Sequence, residues 1–139
     1  MSTSALSSSA LMMKPDWTRI RKARERGGRQ AETAAALWLQ LKGYRIRDRR
    51  VRTKLGEIDL IASKGRMLVF VEVKSRKTQE AALEAVTPET RRRIQQAAEL
   101  WVGRRRTLQD WLWRFDIVLL APGRLPRHIR DAWRAEHRQ

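Results

Sequence analysis

Three runs rich in Ile, Val and Leu follow one another in the middle of the chain, at residues 44–52, 57–63 and 67–75. The third reads Met-Leu-Val-Phe-Val-Glu-Val-Lys and has the strongest pattern. Short runs of branched apolar residues with alternating polar positions predict β-strands. A fourth run at residues 111–120 predicts a further strand, so the pattern indicates a sheet of four strands.

Helical segments are predicted ahead of these strands. Residues 16–26 are charged and compatible with a helix, the glycine pair at 27–28 predicts a break, and a second helix is predicted over 28–42. Gly43 follows as a C-cap residue. At 100° per residue, Glu32 falls inside the apolar arc of this helix, where a carboxylate is unusual. The ordinary alternative is a Glu at the edge of the arc that reaches solvent.

Two more helices are predicted towards the C-terminus. The segment 87–89 is Thr-Pro-Glu, which supplies an N-cap, a proline at the first helical position and an acid in the first turn, and this helix should end near residue 103. Pro126 predicts the start of a final helix that ends near residue 136. This order of helices and strands predicts an α/β or α+β sheet covered by helices.

The first fifteen residues differ in composition from the rest. They are mainly Ser, Ala, Leu and Met, and they lack both the basic start and the continuous apolar stretch of a secretory signal. We therefore expect a disordered tail over 1–15 in a cytoplasmic protein, followed by a single domain over 16–139. Met12 and Met13 leave open a later translation start than Met1.

Composition narrows the class of partner. The 139 residues include 31 Lys and Arg against 15 Asp and Glu, a net charge of +16. This charge attracts polyanions, so nucleic acid or an anionic membrane surface is indicated, although codon bias in a GC-rich genome could also enrich arginine. The chain has no Cys, which excludes disulfides, thiol nucleophiles and cysteine metal sites. No run reaches the ~18 apolar residues of a membrane span.

The hairpin between the second and third predicted strands concentrates charge. With its turn at residues 63–66, Asp59 should lie opposite Phe70 and Glu57 opposite Glu72. Facing carboxylates repel, and a divalent cation would offset that repulsion. The alternative is an ordinary amphipathic hairpin with a solvated, ion-paired polar face. The predicted polar and dry faces are Glu57, Asp59, Phe70, Glu72 and Lys74 against Ile58, Leu60, Val69, Val71 and Val73.

Two segments of this hairpin carry a resemblance to a known family. Gly-Glu-Ile-Asp-Leu-Ile-Ala at 56–62 and Val-Phe-Val-Glu-Val-Lys-Ser-Arg at 69–76 place an acid on one strand and Glu-x-Lys on the next. The pattern resembles the PD-(D/E)XK nuclease core, in the form of the bacterial YraN-like family, which is similar to archaeal Holliday-junction resolvases. The resemblance covers residues 28–133 and implies an α/β, restriction-endonuclease-like core with a central mixed β-sheet flanked by helices. Supporting residues are Gly28, Glu32, Gly43, Tyr44, Arg114, Phe115, Asp116, His128 and Ile129.

The resemblance implies a set of catalytic residues. It makes Asp59 and Glu72 ligands of Mg²⁺ or Mn²⁺, together with the carbonyl of Val73. Lys74 would position or activate the attacking water. Glu32 matches the helix acid that completes the site in resolvase-like members.

Other residues of the motifs are assigned in the same way. Glu57 would be an outer-shell ligand of the metal or a partner of a basic neighbour. Arg114 and Asp116 are expected to form a structural salt bridge at the start of a strand. His128 is expected to pack or cap at the last helix.

Basic segments at 45–54, 91–93 and 104–106 are candidate phosphate contacts. Arginines of this kind fix a protein on a duplex without reading its sequence, so recognition should depend on DNA structure. For Arg76, a phosphate contact and an ordinary surface position both remain open. The candidate nucleic-acid-binding residues are Arg50, Arg52, Lys54, Arg76, Arg91 and Arg92.

The sequence departs from the family pattern at three places. Arg50-Val51-Arg52 stands where the family usually has Asn-x-Arg, Trp133 replaces a more common Phe, and Thr90 or Arg91 replaces a Lys at a helix start. None of these changes removes an expected metal ligand.

Two functions follow from these expectations. The first is a cytoplasmic, Mg²⁺-dependent endodeoxyribonuclease that hydrolyses phosphodiester bonds in structured or branched DNA. The alternative is a non-catalytic nucleic-acid-binding scaffold in DNA processing or uptake, whereas membrane binding is not expected. Resolvase-like enzymes use a homodimer to cut two strands, and a homodimer is left open here. Trp111 and Trp113 alternate with Leu112, so one face of that strand is either partly exposed or covered by a second copy.

Overall fold

The computed structural model describes residues 17–135, and their side chains from residue 28 onward. The chain divides into two units, Met1–Gln30 and Ala31–Gln139. The expected tail over 1–15 and the alternative translation starts lie outside the described residues. None of the described helices is long and apolar enough to cross a membrane.

Five strands form one mixed sheet in the order β1-β2-β3-β4-β5. β3 and β4 are parallel, and the other neighbouring strands are antiparallel. The α/β fold with a central mixed sheet flanked by helices is therefore confirmed, and it has the form of a restriction-endonuclease-like core. The elements are α1 (Trp17–Leu41), β1 (Arg45–Arg52), β2 (Glu57–Lys64), β3 (Met67–Ser75), α2 (Gln79–Ala85), α3 (Pro88–Gly103), a short 3-10 helix (Arg106–Leu108), β4 (Leu112–Leu120) and β5 (Arg127–Trp133).

One continuous helix replaces the two that were predicted at the start of the chain. α1 passes through Gly27 and Gly28 without a break, because each glycine costs a helix only about 1 kcal/mol and the flanking residues are strong helix formers. The predicted end of the helix was right. Gly43 has a φ of +91°, and the next amide, of Tyr44, donates to the carbonyl of Leu39. This is the backbone reversal that glycine favours after a helix.

The final helix predicted from Pro126 is wrong, because Arg127–Trp133 forms β5 and pairs with β4. Proline precedes edge strands as well as helices, so its signal was ambiguous. Strand pairing buries Trp133, whose ring stacks on Phe115 with centroids 5.4 Å apart. His128 therefore lies on a strand and not at a helix end.

The β2–β3 hairpin turns at residues 65–66, so its register differs by two positions from the prediction. Ile61, and not Asp59, lies opposite Phe70. A shift of two keeps side chains on their expected faces. Ile58 is an exception, since it packs with the residues under α3 and not on the dry face where it was predicted.

Two apolar cores cover the two faces of the sheet. Helix α3 packs over one face, where Phe70 is fully buried although it was predicted on the polar face. Helix α1 packs over the other face, on Leu60, Val71 and Val118. With both faces covered, the end of the hairpin beyond Phe70 remains a place where polar side chains can gather. The buried α3 residues are those predicted from its periodicity, namely Ile94, Ala97, Ala98, Trp101 and Val102.

Candidate active site

Asp59, Glu72 and Lys74 lie together at the point where β2 and β3 stop pairing. The last paired residues on this side are Leu60 and Val71, so the acids follow directly on both strands. The amide of Val73 donates to Asp59 Oδ2 at 2.8 Å, and Lys74 Nζ lies 3.4 Å from Glu72 Oε1. The two carboxylates are close enough to share a hydrogen bond when one carries a proton. Three of the four predicted catalytic side chains are thus brought into direct contact.

Both carboxylates are partly buried, and this burial raises the pKa of each. The Glu72 side chain is 13% exposed. Burial, followed by repulsion from Asp59, raises the pKa of Glu72 to about 8. Burial also raises the pKa of Asp59, although the Val73 amide and the charge of Lys74 oppose the shift. The pair therefore carries more negative charge than its surroundings balance, and it favours a proton or another cation.

Glu32 reaches the same region from α1. Its side chain is 13% exposed, and its Oε2 lies 3.3 Å from Arg50 Nε. Burial and then the field of Asp59 raise the pKa of Glu32, while Arg50 opposes the shift. Within the described residues, no three His, Cys, Asp or Glu side chains are close enough to hold a metal ion together. Glu32 therefore stands beside the Asp59–Glu72 pair and not in contact with both of its members.

The backbone conformation at Arg50 bears on one departure from the family pattern. Its φ is +52°, in the left-handed region. Asn enters this region more readily than other residues with a side chain, and the family usually has Asn at this position. The arginine accepts the unfavourable backbone and supplies the cation that faces Glu32.

A cleft of about 630 Å³ opens over the two acids, and we call it the Asp59 cleft. Its walls are the loop between β1 and β2 and the first half of α3. A Cβ on Gly56 would lie 2.4 Å from the carbonyl oxygen of Arg93, so only glycine lets this loop approach the helix. The first residue of the Gly-Glu-Ile-Asp segment thus shapes the cleft. Besides Asp59 and Glu72, the lining includes Lys54, Gly56, Glu57, Thr90, Arg93 and Gln96.

Glu57 lies at the rim of the Asp59 cleft. It is exposed, and it makes no ion pair with any residue in the described part of the chain. It also does not lie opposite Glu72, because the paired register ends at Leu60 and Val71. Its charge nevertheless raises the pKa of Asp59. This position fits an outer-shell role better than a pairing with Lys74.

Four of the six predicted nucleic-acid-binding residues point their charge outward. Arg52, Lys54 and Arg92 are exposed, and Lys54 lines the Asp59 cleft. Arg76 is also exposed, and its Nη1 donates to the carbonyl of Ser75 at 2.8 Å. These four side chains are therefore exposed to solvent and available to phosphates.

The other two predicted nucleic-acid-binding residues are engaged inside the protein. Arg50 faces Glu32. Arg91 Nε donates to the carbonyl of Val86 at 3.0 Å, and its guanidinium lies 5.8 Å from the ring centre of Trp133. Either side chain would have to give up these internal contacts in order to bind a phosphate.

A second cleft, of about 570 Å³, runs beside β1 and shares Thr53 with the Asp59 cleft. We call it the β1 cleft. The sequence indicated the basic segments 45–54 and 104–106, but it did not indicate that they lie side by side in this cleft. Gln96 of the Asp59 cleft was also missed, although Thr90, Arg93 and Gln96 follow one another at intervals of three on one helix, and Arg93 was indicated only as part of the basic segment 91–93. The basic residues of the β1 cleft are Arg49, Arg50, Arg52, Arg104 and Arg105.

Another buried carboxylate lies on β4. Asp116 is fully buried, and it accepts two hydrogen bonds from Arg114, at 2.7 and 2.8 Å, and one from the Asp131 amide at 2.9 Å. His128 Nε2 lies 2.6 Å from the same carboxylate, and Arg114 also donates to the Tyr44 hydroxyl at 2.7 Å. Burial alone would raise the pKa of Asp116, but these hydrogen bonds outweigh it and lower the pKa. The expected salt bridge is present, within a larger network.

For the strand at 111–120, the sequence left two possibilities: one face is partly exposed, or it is covered by a second copy. The structure shows how exposed its side chains are. Leu112 is 68% exposed, whereas Trp111 and Trp113 are half-buried. Trp113 meets Phe70 edge-on at 5.2 Å, and the Arg47 guanidinium lies 5.0 Å from the Trp111 ring centre. The exposed side of this strand is therefore a single leucine and not a row of aromatic side chains.

Comparison with known proteins agrees with the motif analysis. The chain is 49% identical over 116 residues to a UPF0102 protein of Maricaulis maris (strain MCS10), which covers 84% of this chain and 91% of the relative. A UPF0102 protein of Caulobacter vibrioides (strain NA1000 / CB15N) is 54% identical over 106 residues, 76% of this chain and 85% of the relative. One from Rhizobium johnstonii is 50% identical over 118 residues, 85% of this chain and 97% of the relative. Residues 31–120 match "Uncharacterised protein family UPF0102". The chain belongs to this family, the YraN-like group with a PD-(D/E)XK-like core.

Proposed function

We propose that this protein is a cytoplasmic, Mg²⁺- or Mn²⁺-dependent endonuclease that hydrolyses phosphodiester bonds in structured or branched DNA. The observation that carries the proposal is the contact among Asp59, Glu72 and Lys74. Two partly buried carboxylates with raised pKa values stand beside an ammonium group, at the floor of an open cleft. A protein that only bound nucleic acid would gain nothing from acids placed where phosphates must approach.

The donor set fits a divalent cation that prefers oxygen ligands. Asp59, Glu72 and the carbonyl of Val73 would hold the ion. Mg²⁺ usually takes one or two carboxylates and keeps several waters, so the lack of a third close carboxylate among the described residues is compatible with it. When bound, the ion would supply Lewis acidity to a water molecule and to a phosphate oxygen.

The protein's own groups would take the other roles in hydrolysis. In hydrolysis, a water oxygen bonds to phosphorus, the bond to the leaving sugar oxygen breaks, the water loses a proton and the leaving oxygen gains one. Lys74 would hold the water and balance negative charge on the phosphoryl oxygens. The amide of Val73 fixes the Asp59 carboxylate, which keeps its second oxygen in place. Glu32 and Arg50 would orient groups at the rim of the site.

Binding of the DNA backbone would use the basic surface around the acids. The β1 cleft joins the Asp59 cleft at Thr53 and carries five arginines. Lysine and arginine contacts to phosphates supply affinity that does not depend on base sequence. We therefore expect selection by DNA structure.

The test is a cleavage assay on labelled four-way junction, flap, duplex and single-stranded DNA with Mg²⁺, Mn²⁺ or EDTA. We expect metal-dependent cleavage that falls at least 100-fold in Asp59→Asn and in Lys74→Ala. Glu84→Gln serves as the control, because Glu84 is an exposed acid that lines neither the Asp59 cleft nor the β1 cleft. Cleavage retained in both Asp59→Asn and Lys74→Ala would point to a contaminating nuclease, and its loss in Glu84→Gln would show that the effect is not specific to the site.

A negative result has a defined meaning. Tight, salt-sensitive DNA binding without cleavage in either metal would favour the scaffold function. If the enzyme cuts both strands of a branched substrate, two copies should act together. Sedimentation equilibrium with and without a junction would measure that stoichiometry.

A further inference from the structure

A third cleft, of about 690 Å³, lies on the opposite side of Lys74 from the β1 cleft. It is formed by the residues that follow β3 and by the connection between β4 and β5. We call it the Arg124 cleft. Since the sheet order runs from β1 to β5, the Asp59 cleft at the β2–β3 end lies between the β1 cleft and the Arg124 cleft.

The Arg124 cleft carries positive charge that the protein itself does not use. Its basic side chains, Lys77, Arg124 and Arg127, are all exposed. None of them makes an ion pair or a side-chain hydrogen bond with a residue in the described part of the chain. Glu80 is the one acid in the lining. By contrast, Arg50 and Arg114 are paired with internal carboxylates.

The floor of the Arg124 cleft is apolar. Leu83 and Leu119 line it, and Leu125 is 77% exposed at its rim. Exposed apolar side chains between unpaired cations suit a chain that alternates phosphates with sugars and bases. A small anion alone would leave this apolar surface without a contact.

The short segment between Lys74 and Lys77 limits how far this cleft can lie from the proposed site of hydrolysis. Lys77 follows Lys74 by three residues, so their Cα atoms are at most about 11 Å apart. One strand of a duplex advances about 3.4 Å per nucleotide. A strand with one phosphate at Lys74 would therefore place another at Lys77 within about three nucleotides.

We propose that the Arg124 cleft binds backbone phosphates within about three nucleotides of the hydrolysed bond. The nucleic acid is then held on both sides of Asp59 and Glu72, by the β1 cleft and by the Arg124 cleft, and the bond that is cut lies inside a strand and not at its end. This inference rests on the proposed function.

The first test measures DNA binding in EDTA, where no cleavage occurs. Binding of a labelled junction is followed by fluorescence anisotropy at several salt concentrations, for wild type and for the triple variant Lys77→Ala, Arg124→Ala, Arg127→Ala. Each lost phosphate contact lowers the slope of log K against log salt by about 0.9. We expect a loss of about 2 to 3 in slope.

The matched control is Lys64→Ala, Arg66→Ala, Arg134→Ala, which removes the same charge at the opposite end of the sheet. Its slope should fall by less than about 1. Equal slopes in the two triple variants would overturn the inference. Melting temperatures report folding, and Arg124→Ala alone, with an expected slope loss of about 0.9, replaces the triple variant if that variant does not fold.

A second test uses the absence of Cys from the chain. Arg124→Cys and Lys64→Cys each create one attachment point for a photo-crosslinker. Crosslinks from position 124 should fall on one side of the cleavage position only, and position 64 should give none. Cleavage by wild type together with crosslinks that scatter equally from both positions would overturn the inference but not the proposed function. Failure of wild type to bind any DNA would overturn both.

Discussion

Two carboxylates in this sheet, the fully buried Asp116 on β4 and the partly buried Asp59 on β2, are balanced in opposite ways. Asp116 has a guanidinium held through two bonds, an imidazole and an amide, and its pKa is lowered. Asp59 has one amide and lies against Glu72, and its pKa is raised. A buried charge whose partners are all internal stabilises the fold. A carboxylate whose charge is not fully balanced by internal partners is available for a cation from outside. This difference distinguishes a structural carboxylate from one in a candidate site.

Neutralising each aspartate should give the largest difference. Asp116→Asn leaves Arg114 and His128 without their carboxylate, so we expect the free energy of unfolding to fall by about 3–5 kcal/mol. Asp59→Asn removes a repulsion with Glu72 and should be neutral or stabilising in the absence of metal. Urea denaturation at pH 7 measures both. An equal loss in the two variants would contradict the comparison.

A substitution in the wall of the Asp59 cleft, away from Asp116, should have the next largest effect on stability. In Gly56→Ala the new Cβ collides with the Arg93 carbonyl, so we expect a loss of about 1–3 kcal/mol and a displaced loop at the Asp59 cleft. Gly103→Ala is the control, because a Cβ there meets nothing within 4 Å. If both variants melt at the wild-type temperature, the close approach at Gly56 is not required.

The pH dependence of stability should differ between the two carboxylate regions. Glu72 has a folded-state pKa of about 8 against 4.5 in the unfolded chain, so its contribution is present below pH 4.5 and is lost as the pH rises through 8. We expect a loss on the order of 2 kcal/mol in metal-free protein. The lowered pKa of Asp116 acts in the opposite sense, removing stability only as the pH falls below about 4.

Glu72→Gln tests that assignment, since it keeps the shape and removes the titration. Its stability should be nearly flat between pH 5 and pH 8 while the acid limb from Asp116 remains. Thermal melts in EDTA at four pH values are sufficient. An unchanged slope in Glu72→Gln would show that another group titrates.

Added Mg²⁺ should act only on the Asp59 region. At ten times its dissociation constant the ion would stabilise the fold by about 1.4 kcal/mol, and more at pH 8 than at pH 6 because protons compete for the carboxylates. Asp59→Asn should lose this response and Asp110→Asn should keep it. Calorimetric melts would detect the shift, and a response retained in Asp59→Asn would place the ion elsewhere.

The smallest effect should come from the backbone of Arg50. Arg50→Ala and Arg50→Asn both remove the pair with Glu32, but Asn accepts the positive φ more readily. We expect Arg50→Asn to be the more stable by about 0.5–1 kcal/mol. The reverse order in urea denaturation would mean that the backbone at this position relaxes.

Local signals in the sequence predicted most of the fold. The strand at 67–75 was predicted with its observed bounds because it opens on five consecutive apolar residues and is rich in valine. The start of α3 was predicted because Thr87 caps it by accepting a hydrogen bond from the Thr90 amide. α2 was not predicted, since seven residues carry little periodicity, and it forms where Thr78 caps it and Ala82 is buried. β5 depends on pairing with β4, which no local signal reports.

The candidate site was predictable to the extent that it is local. Asp59, Glu72 and Lys74 lie within one hairpin, and a register error of two positions left them on the same side. Arg93 and Arg124 come from a helix and from a distant loop, so their place beside the clefts depends on tertiary packing. Sequence reasoning could find the chemical groups but not the surface that surrounds them.

The sheet order has one further consequence, for solubility. β1 and β5 are the outer strands of the described sheet, so each presents backbone groups that another chain could pair with. Both strands are rich in arginine, and both carry an irregularity in register against their neighbour. Charge and irregularity on an outer strand oppose edge-to-edge aggregation. Substitutions that probe DNA binding on β1 should therefore replace arginine with glutamine and not with an apolar residue, because an apolar edge would promote aggregation of the protein.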